Sequence, residues 1–247
     1  MLAALTFDFW DTIVRDDSDE PVRAARGLLP KAQAREALFV DEVLAHHPAL
    51  GREAVADALA AANARFRHHW KVEHHTPTVA ERLTDALSEL GLGRTPGFDA
   101  LVDGWERMEV DVPPALNPGA AEGLRALAPN YRLGIISDTI VSPGRSLRVL
   151  LGDYGLLDLF TTFVFSDEVG AAKPAPRVFA LAAQGLGVPP ARIAHVGDRE
   201  PNDIVGAQAA GFKAILYTGA VDRGSDDTAA DAVCRDYAAL LSAVKEL

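Results

Sequence analysis

Residues 2–12 read Leu2-Ala3-Ala4-Leu5-Thr6-Phe7-Asp8-Phe9-Trp10-Asp11-Thr12. A short, nearly continuous apolar run stops at a carboxylate and a polar turn, which is the pattern of a buried strand over Leu2 to Phe7. A charge at the end of a buried strand loses solvation, so something else in the chain must make use of Asp8. The pattern recurs at Ile193-Ala194-His195-Val196-Gly197-Asp198, with Asp203 five residues on. Between them lie Ile135-Ile136-Ser137-Asp138 and Gly170-Ala171-Ala172-Lys173-Pro174. Three strand-like runs ending in polar groups, together with one lysine, point to a single site assembled from distant parts of the chain.

From Asn117 onward the chain alternates helix and strand. Asn117-Pro118 opens a helix running to about Leu127; strands follow at 132–137, 161–165, 193–196 and 214–217. Helices at 145–151, 177–185 and 202–210 separate them. Apolar strands alternating with helices predict an α/β fold with a parallel sheet covered on both faces, whose ligand crevice lies beyond the carboxyl ends of the strands. Residues 15–114 are different: rich in Ala, Leu, Arg and Glu and nearly free of β-branched runs, they favour helices. Thr76-Pro77 reads as a helix start, with Val79, Leu83, Leu87 and Leu90 at helical spacing and Gly91 as a stop. A second helix is expected over Glu53–His69, and Gly27 and Pro30 break or kink an earlier one. The expected organisation is a core of residues 1–14 and 115–247 with a helical insert at 15–114.

Composition narrows the function. The chain has 247 residues, 49% of them hydrophobic, which allows a sizeable core and argues against wholesale disorder. A net charge of −11 argues against a nucleic-acid backbone as partner while leaving room for a small anionic substrate at a locally positive site. Cys234 is the only cysteine, so no internal disulfide forms. No apolar run approaches the ~20 residues that span a bilayer, and the first one breaks at Asp8, too early for a signal peptide. The expectation is a cytoplasmic protein, monomer or homodimer, with no membrane partner.

Each candidate residue has an ordinary reading and a chemical one. Asp8 either caps a turn or serves as a covalent nucleophile. Asp198 and Asp203 either complement a helix dipole or join Asp8 in a set of hard oxygen ligands suited to magnesium. Without a cation, three such carboxylates would repel one another. Lys173, stiffened by Pro174 and Pro176, is either a solvated loop lysine or an ammonium that offsets charge on a nucleophile and a phosphoryl group. Ser137 is either a turn residue or an anion-binding hydroxyl.

Taken in order, Phe7-Asp8-Phe9-Trp10-Asp11-Thr12, Ile136-Ser137-Asp138, Gly170–Pro176 and Gly197-Asp198-Arg199-Glu200-Pro201-Asn202-Asp203 resemble the four motifs of the haloacid dehalogenase superfamily. The resemblance covers 1–14 and 115–247 and implies a three-layer Rossmann-like core with the insert as an all-helical cap. It further implies that Asp8 attacks phosphorus and that magnesium sits on the Asp8 side chain, the Trp10 carbonyl and Asp198, with Asp203 as ligand or neighbour. Thr12, Ser137, Asp138 and Lys173 would surround the phosphoryl group, and Asp11 would offer its backbone N–H.

One position departs from the family. Its phosphatases carry a second Asp two residues after the nucleophile, as general acid and base; here that residue is Trp10. Indole does no acid–base chemistry, and the loss typically costs ~10²–10⁴-fold. Asp11, one residue on, is a possible substitute that is expected to point elsewhere. Three readings follow: a magnesium-dependent phosphatase favouring good leaving groups, a metal-independent 2-haloacid dehalogenase, or a binding module with vestigial catalysis. Carbon–phosphorus cleavage would need a Schiff-base lysine, for which the insert offers only Lys31 and Lys71. In the insert, His46, His47, His68, His69, His74 and His75 match no zinc spacing and are expected at a solvated or partner-facing helix end. Trp70 and Trp105 are expected in bundle packing, Arg65 and Arg67 on the surface, and His195 as a hydrogen-bonded core residue.

Overall fold

A computed structural model describes residues 1–247. Strand β1 (Ala4–Phe7) is followed by six helices: α1 (Glu20–Ala25), α2 (Lys31–His46), α3 (Arg52–Lys71), α4 (Val79–Glu89), α5 (Phe98–Glu106) and α6 (Met108–Asp111). The chain continues with α7 (Ala120–Leu127), β2 (Arg132–Ser137), α8 (Gly144–Asp153), β3 (Phe160–Phe165), α9 (Ser166–Val169) and α10 (Pro176–Leu186). Strand β4 (Ile193–Gly197), a π-helical turn at Glu200–Ile204, α11 (Val205–Ala209), β5 (Lys213–Tyr217), β6 (Ala232–Cys234) and α12 (Tyr237–Glu246) complete it.

All six strands are parallel, in the order β3-β2-β1-β4-β5-β6. Alternation along the central strands divides the core. Leu5, Phe7, Leu133, Ile135, Ala194 and Val196 face one side, with Leu124, Leu147 and Leu240 of α7, α8 and α12. Ala4, Ile136 and Ile193 face the other, with Phe179 and Ala182 of α10 and Ala207 of α11. Helices on both faces of a parallel sheet make the three-layer, Rossmann-like α/β fold that strand–helix alternation predicts. β1 lies between β2 and β4, so connections leave it in both directions, and the crevice of such a sheet opens there.

The insert has its own apolar centre, including Phe39, Val43, Leu59, Leu83, Leu87 and Trp105. Trp105 packs as expected. Helices α2 and α5 fall within the stretch expected to be helical, whereas β6 and α12 were not expected from the sequence. Two helix starts also differ from expectation. Helix α4 is capped by Thr78, whose hydroxyl accepts from Glu81 N while Glu81 returns a bond to Thr78 N; Thr76 instead is buried with its hydroxyl unpartnered. Pro77 therefore precedes the cap. Helix α7 begins after Gly119, at φ 77°, and Asn117 turns its side chain away from it: Nδ2 donates to Thr12 O at 2.9 Å, tying the helix entry to the loop after β1.

The two threonines should separate in stability. Thr78→Ala removes a capping box and is expected to cost about 1 kcal/mol. Thr76→Val keeps the shape while removing an unpaired buried hydroxyl, and is expected to be neutral or stabilising. Urea unfolding of both variants checks the assignment; an equal or larger loss at Thr76 would contradict it.

Candidate active site

The sheet brings the four quoted segments to one edge. Asp8 follows β1, Ser137 ends β2, Asp198 follows β4, and Lys173 sits in the loop between α9 and α10. Asp8, Ser137, Lys173, Asp198 and Asp203 are all buried. Lys173 Nζ lies 2.8 Å from Asp8 Oδ1 and 2.6 Å from Asp203 Oδ1, bonding the lysine to both carboxylates. Burial alone would depress the Lys173 pKa, but Asp203, Asp8 and Asp138 more than offset this and raise it. Burial raises the Asp8 pKa, and Lys173 opposes that rise.

Asp203 shares its oxygens among three protein donors. Oδ1 takes Lys173 Nζ and His195 Nε2 (3.0 Å), and Oδ2 takes Arg199 N (2.9 Å). Burial opposes its ionisation, but Lys173 and His195 prevail and hold its pKa below the usual carboxylate range. The His195 ring is anchored on its other side by Thr6 Oγ1 at 2.9 Å. His195 is thus a core residue, as expected, and one that orients Asp203. Gly197 is required here: a Cβ at that position would overlap the Asp203 carboxylate.

Asp198 is different. Its Oδ2 is ion-paired with Arg223, while its Oδ1 is buried without any partner. Burial, followed by the charges of Asp8 and Asp203, pushes its pKa up to about 7. One oxygen from each of Asp8, Asp198 and Asp203 lies within 4.8 Å of the others. Five carboxylates (Asp8, Asp11, Asp138, Asp198 and Asp203) meet three cations, Lys173, Arg199 and Arg223. The deficit and the orphaned oxygen both suit one hard divalent cation. Because both Asp203 oxygens are already engaged, Asp8 and Asp198 are the better-placed ligands, with Asp203 as their neighbour.

Arg223 escaped the sequence reading. It comes from the loop between β5 and β6 and pairs Asp198 with Asp11 Oδ2 (2.7 Å). Asp11, at φ 51°, also accepts Asp16 N on Oδ1 (3.0 Å), so both its oxygens are occupied and it does not stand in as a general acid. Trp10 lines the pocket over Asp8 and sets its ring edge-on to Phe9, at 5.1 Å between centroids. Thr12 Oγ1 and Ser137 Oγ are buried without partners, as Asp198 Oδ1 is. Asp138 does not present a free carboxylate to the pocket: Oδ1 accepts Lys173 N (2.9 Å) and Oδ2 accepts Trp70 Nε1 (3.0 Å). Trp70, expected in bundle packing, thus reaches from α3 to the core and lines the pocket.

The pocket occupies about 200 Å³ between sheet edge and insert. Arg65 pairs with Asp85 and Glu89 and does not line it. Of the insert histidines, His68 and His69 pair with Glu73, and His75 Nδ1 meets Gly170 O at 3.0 Å.

A Rossmann-like core with a carboxylate after its central strand and a lysine from a neighbouring loop defines a class of hydrolases. A family model described as haloacid dehalogenase-like hydrolase matches residues 2–211, and the chain belongs to that family. Protein CbbY of Rhodobacter capsulatus is 37% identical over 134 residues, 53% of this chain and 59% of that protein. A glyceraldehyde 3-phosphate phosphatase of Methanothermobacter thermautotrophicus is 37% identical over 97 residues, 39% of this chain and 42% of that one. The matches thus span about half the length of these curated relatives. A 2-haloacid dehalogenase structure from Pseudomonas syringae superposes with a TM-score of 0.67 at 21% identity, covering 100% of this chain and 99% of that one. An HAD phosphatase from Thermococcus onnurineus gives 0.63 at 21%, covering 98% and 97%. At these identities the structures share the fold. Among the molecule's helices none is long and apolar enough to cross a membrane.

A divalent cation that binds only the native form would stabilise the fold by roughly 2.7 kcal/mol at a hundredfold excess over Kd. A rise in melting temperature on magnesium titration is expected for the native chain, and its loss in Asp198→Asn. An unchanged shift in that variant would remove Asp198 from the cation site.

Proposed function

We propose that the protein is a magnesium-dependent phosphatase acting on a small phosphorylated metabolite through a phospho-aspartate at Asp8. The observation that carries this reading is the buried carboxylate group of Asp8, Asp198 and Asp203, one oxygen of each within 4.8 Å of the others, with Asp198 Oδ1 left without a partner. Thr12 Oγ1 and Ser137 Oγ suit phosphoryl oxygens, and Asp198 Oδ1 suits a cation. Asp8 and Asp198, with the Trp10 carbonyl, would hold magnesium, with Asp203 beside them. When bound, the ion would supply charge neutralisation for the phosphoryl oxygens.

This chain's own residues account for the rest. Lys173 favours the ionised form of Asp8 against burial and aims it, and its ammonium offsets charge on the transferring group. Asp203 and His195 hold Lys173 in place. Asp8 Oδ attacks phosphorus, the leaving oxygen departs, and water then cleaves the acyl phosphate to return the carboxylate. With Trp10 at the acid position and Asp11 bound to Arg223, no carboxylic acid at these positions protonates the leaving group. Esters of acidic alcohols, such as aryl phosphates, or acyl phosphates are the favoured substrates. The domain division is proposed at 1–14 and 115–247 for the core and 15–114 for the cap.

The dehalogenase alternative is supported by the aromatic Trp10 and by the fold similarity to 2-haloacid dehalogenases. It leaves the orphaned Asp198 oxygen without a use. Carbon–phosphorus cleavage needs a neutral cap amine, whereas Asp19, Asp17 and Glu109 surround Lys31 and raise its pKa. Turnover of p-nitrophenyl phosphate should stop with EDTA and fall by several orders of magnitude in Asp8→Asn. Chloride release from 2-chloropropionate in EDTA, without any phosphate-ester hydrolysis in magnesium, would instead establish the dehalogenase.

A further inference from the structure

The half of the pocket away from Asp8 contains two cations, and both are already paired with carboxylates. Lys31 Nζ, buried, sits 2.7 Å from Asp19, 3.2 Å from Asp17 and 3.6 Å from Glu109. Arg35 Nη2 lies 2.8 Å from each Glu109 oxygen, and Arg35 Nε donates to Trp105 O at 3.3 Å. Ser142 Oγ adds a 2.7 Å bond to Glu109. Asp16 and Asp17 add negative charge at the rim, where Arg199 already lies 3.8 Å from Asp198. A second anionic group on a substrate would have to break buried ion pairs or lie beside these carboxylates. The remaining surface is Trp10, Trp70, Ile140, Val141 and Asn202, whose amide donates to Lys173 O at 3.1 Å.

Trp70 is held rigidly for a side chain contributed by the insert. Its Nε1–H is committed to Asp138 Oδ2, and Asp138 is itself bound by Lys173 N. The indole is therefore tethered to the loop that carries Lys173, and Lys71 Nζ lies 5.7 Å from its ring centroid. An indole held in this way offers a flat, low-entropy face to a ring. Resting on the phosphatase reading, we infer that the leaving-group half of the pocket takes an uncharged, planar, preferably aromatic group, and that Trp70 determines this specificity.

Phenyl phosphate and 4-carboxyphenyl phosphate, which differ by one carboxylate at the far end, test this directly with the purified protein in magnesium. The kcat/KM of the charged ester is expected to be at least tenfold lower. Trp70→Ala should raise KM for phenyl phosphate roughly tenfold more than it raises KM for glycerol 1-phosphate, and Trp70→Phe, which keeps a ring face but not the bond to Asp138, should recover part of that difference. Equal turnover of the two aryl esters, or equal effects of Trp70→Ala on both alcohol types, overturns the inference and leaves the phosphatase reading intact. Hydrolysis of none of these esters overturns the phosphatase reading instead. Calorimetric binding of phenylphosphonate and 4-carboxyphenylphosphonate then decides the subsite: tighter binding of the former supports the inference, and equal affinity overturns it.

Discussion

The Lys173 ammonium, 2.8 Å from Asp8 and 2.6 Å from Asp203, is the contact on which the rest of the site depends. A buried lysine without partners would cost several kcal/mol, and so would either carboxylate alone. Together they place three buried charges in contact, and Lys173 opposes the rise that burial imposes on the Asp8 pKa. The arrangement requires β1 and β4 to be adjacent, a glycine at 197 so that Asp203 can approach, and His195 to complete the Asp203 oxygen. These requirements come from separate parts of the chain, which is why a parallel sheet with its switch point at β1 suits them.

The insert is coupled to this network through few but specific contacts. Trp70 bonds Asp138, Arg82 donates to the Ile140 carbonyl, and His74 O accepts Ala172 N at 2.7 Å beside Lys173. Each contact ends on a loop that carries a site residue or its immediate neighbour. The insert therefore shapes the pocket without supplying charge to the phosphoryl position, and its pocket-lining Lys31 and Arg35 are paired with its own carboxylates.

Much of this was legible in the sequence because strand ends and helix periodicity are local signals. Apolar runs ending at Asp8, Ser137 and Asp198 mark sheet edges, and Val79, Leu83 and Leu87 mark one face of α4. The cap at Thr78 was misplaced to Thr76 because Pro77 suits a first helical turn as well as the position preceding a cap. Three-residue β6, flanked by Asp231 and Arg235, has too short an apolar run to register. Arg223 and Trp70 could not be found this way: their partners, Asp11 with Asp198 and Asp138, are far away in sequence, and no periodicity encodes a contact made across the fold.

Asp8 as the covalent nucleophile is the central claim, and pre-steady-state mass spectrometry tests it most directly. Protein mixed with an aryl phosphate and magnesium, quenched in acid within the first turnover and digested, should carry a phosphoryl group on the peptide containing Asp8. Product release with that peptide unmodified throughout, or a label on any other residue, would contradict the account.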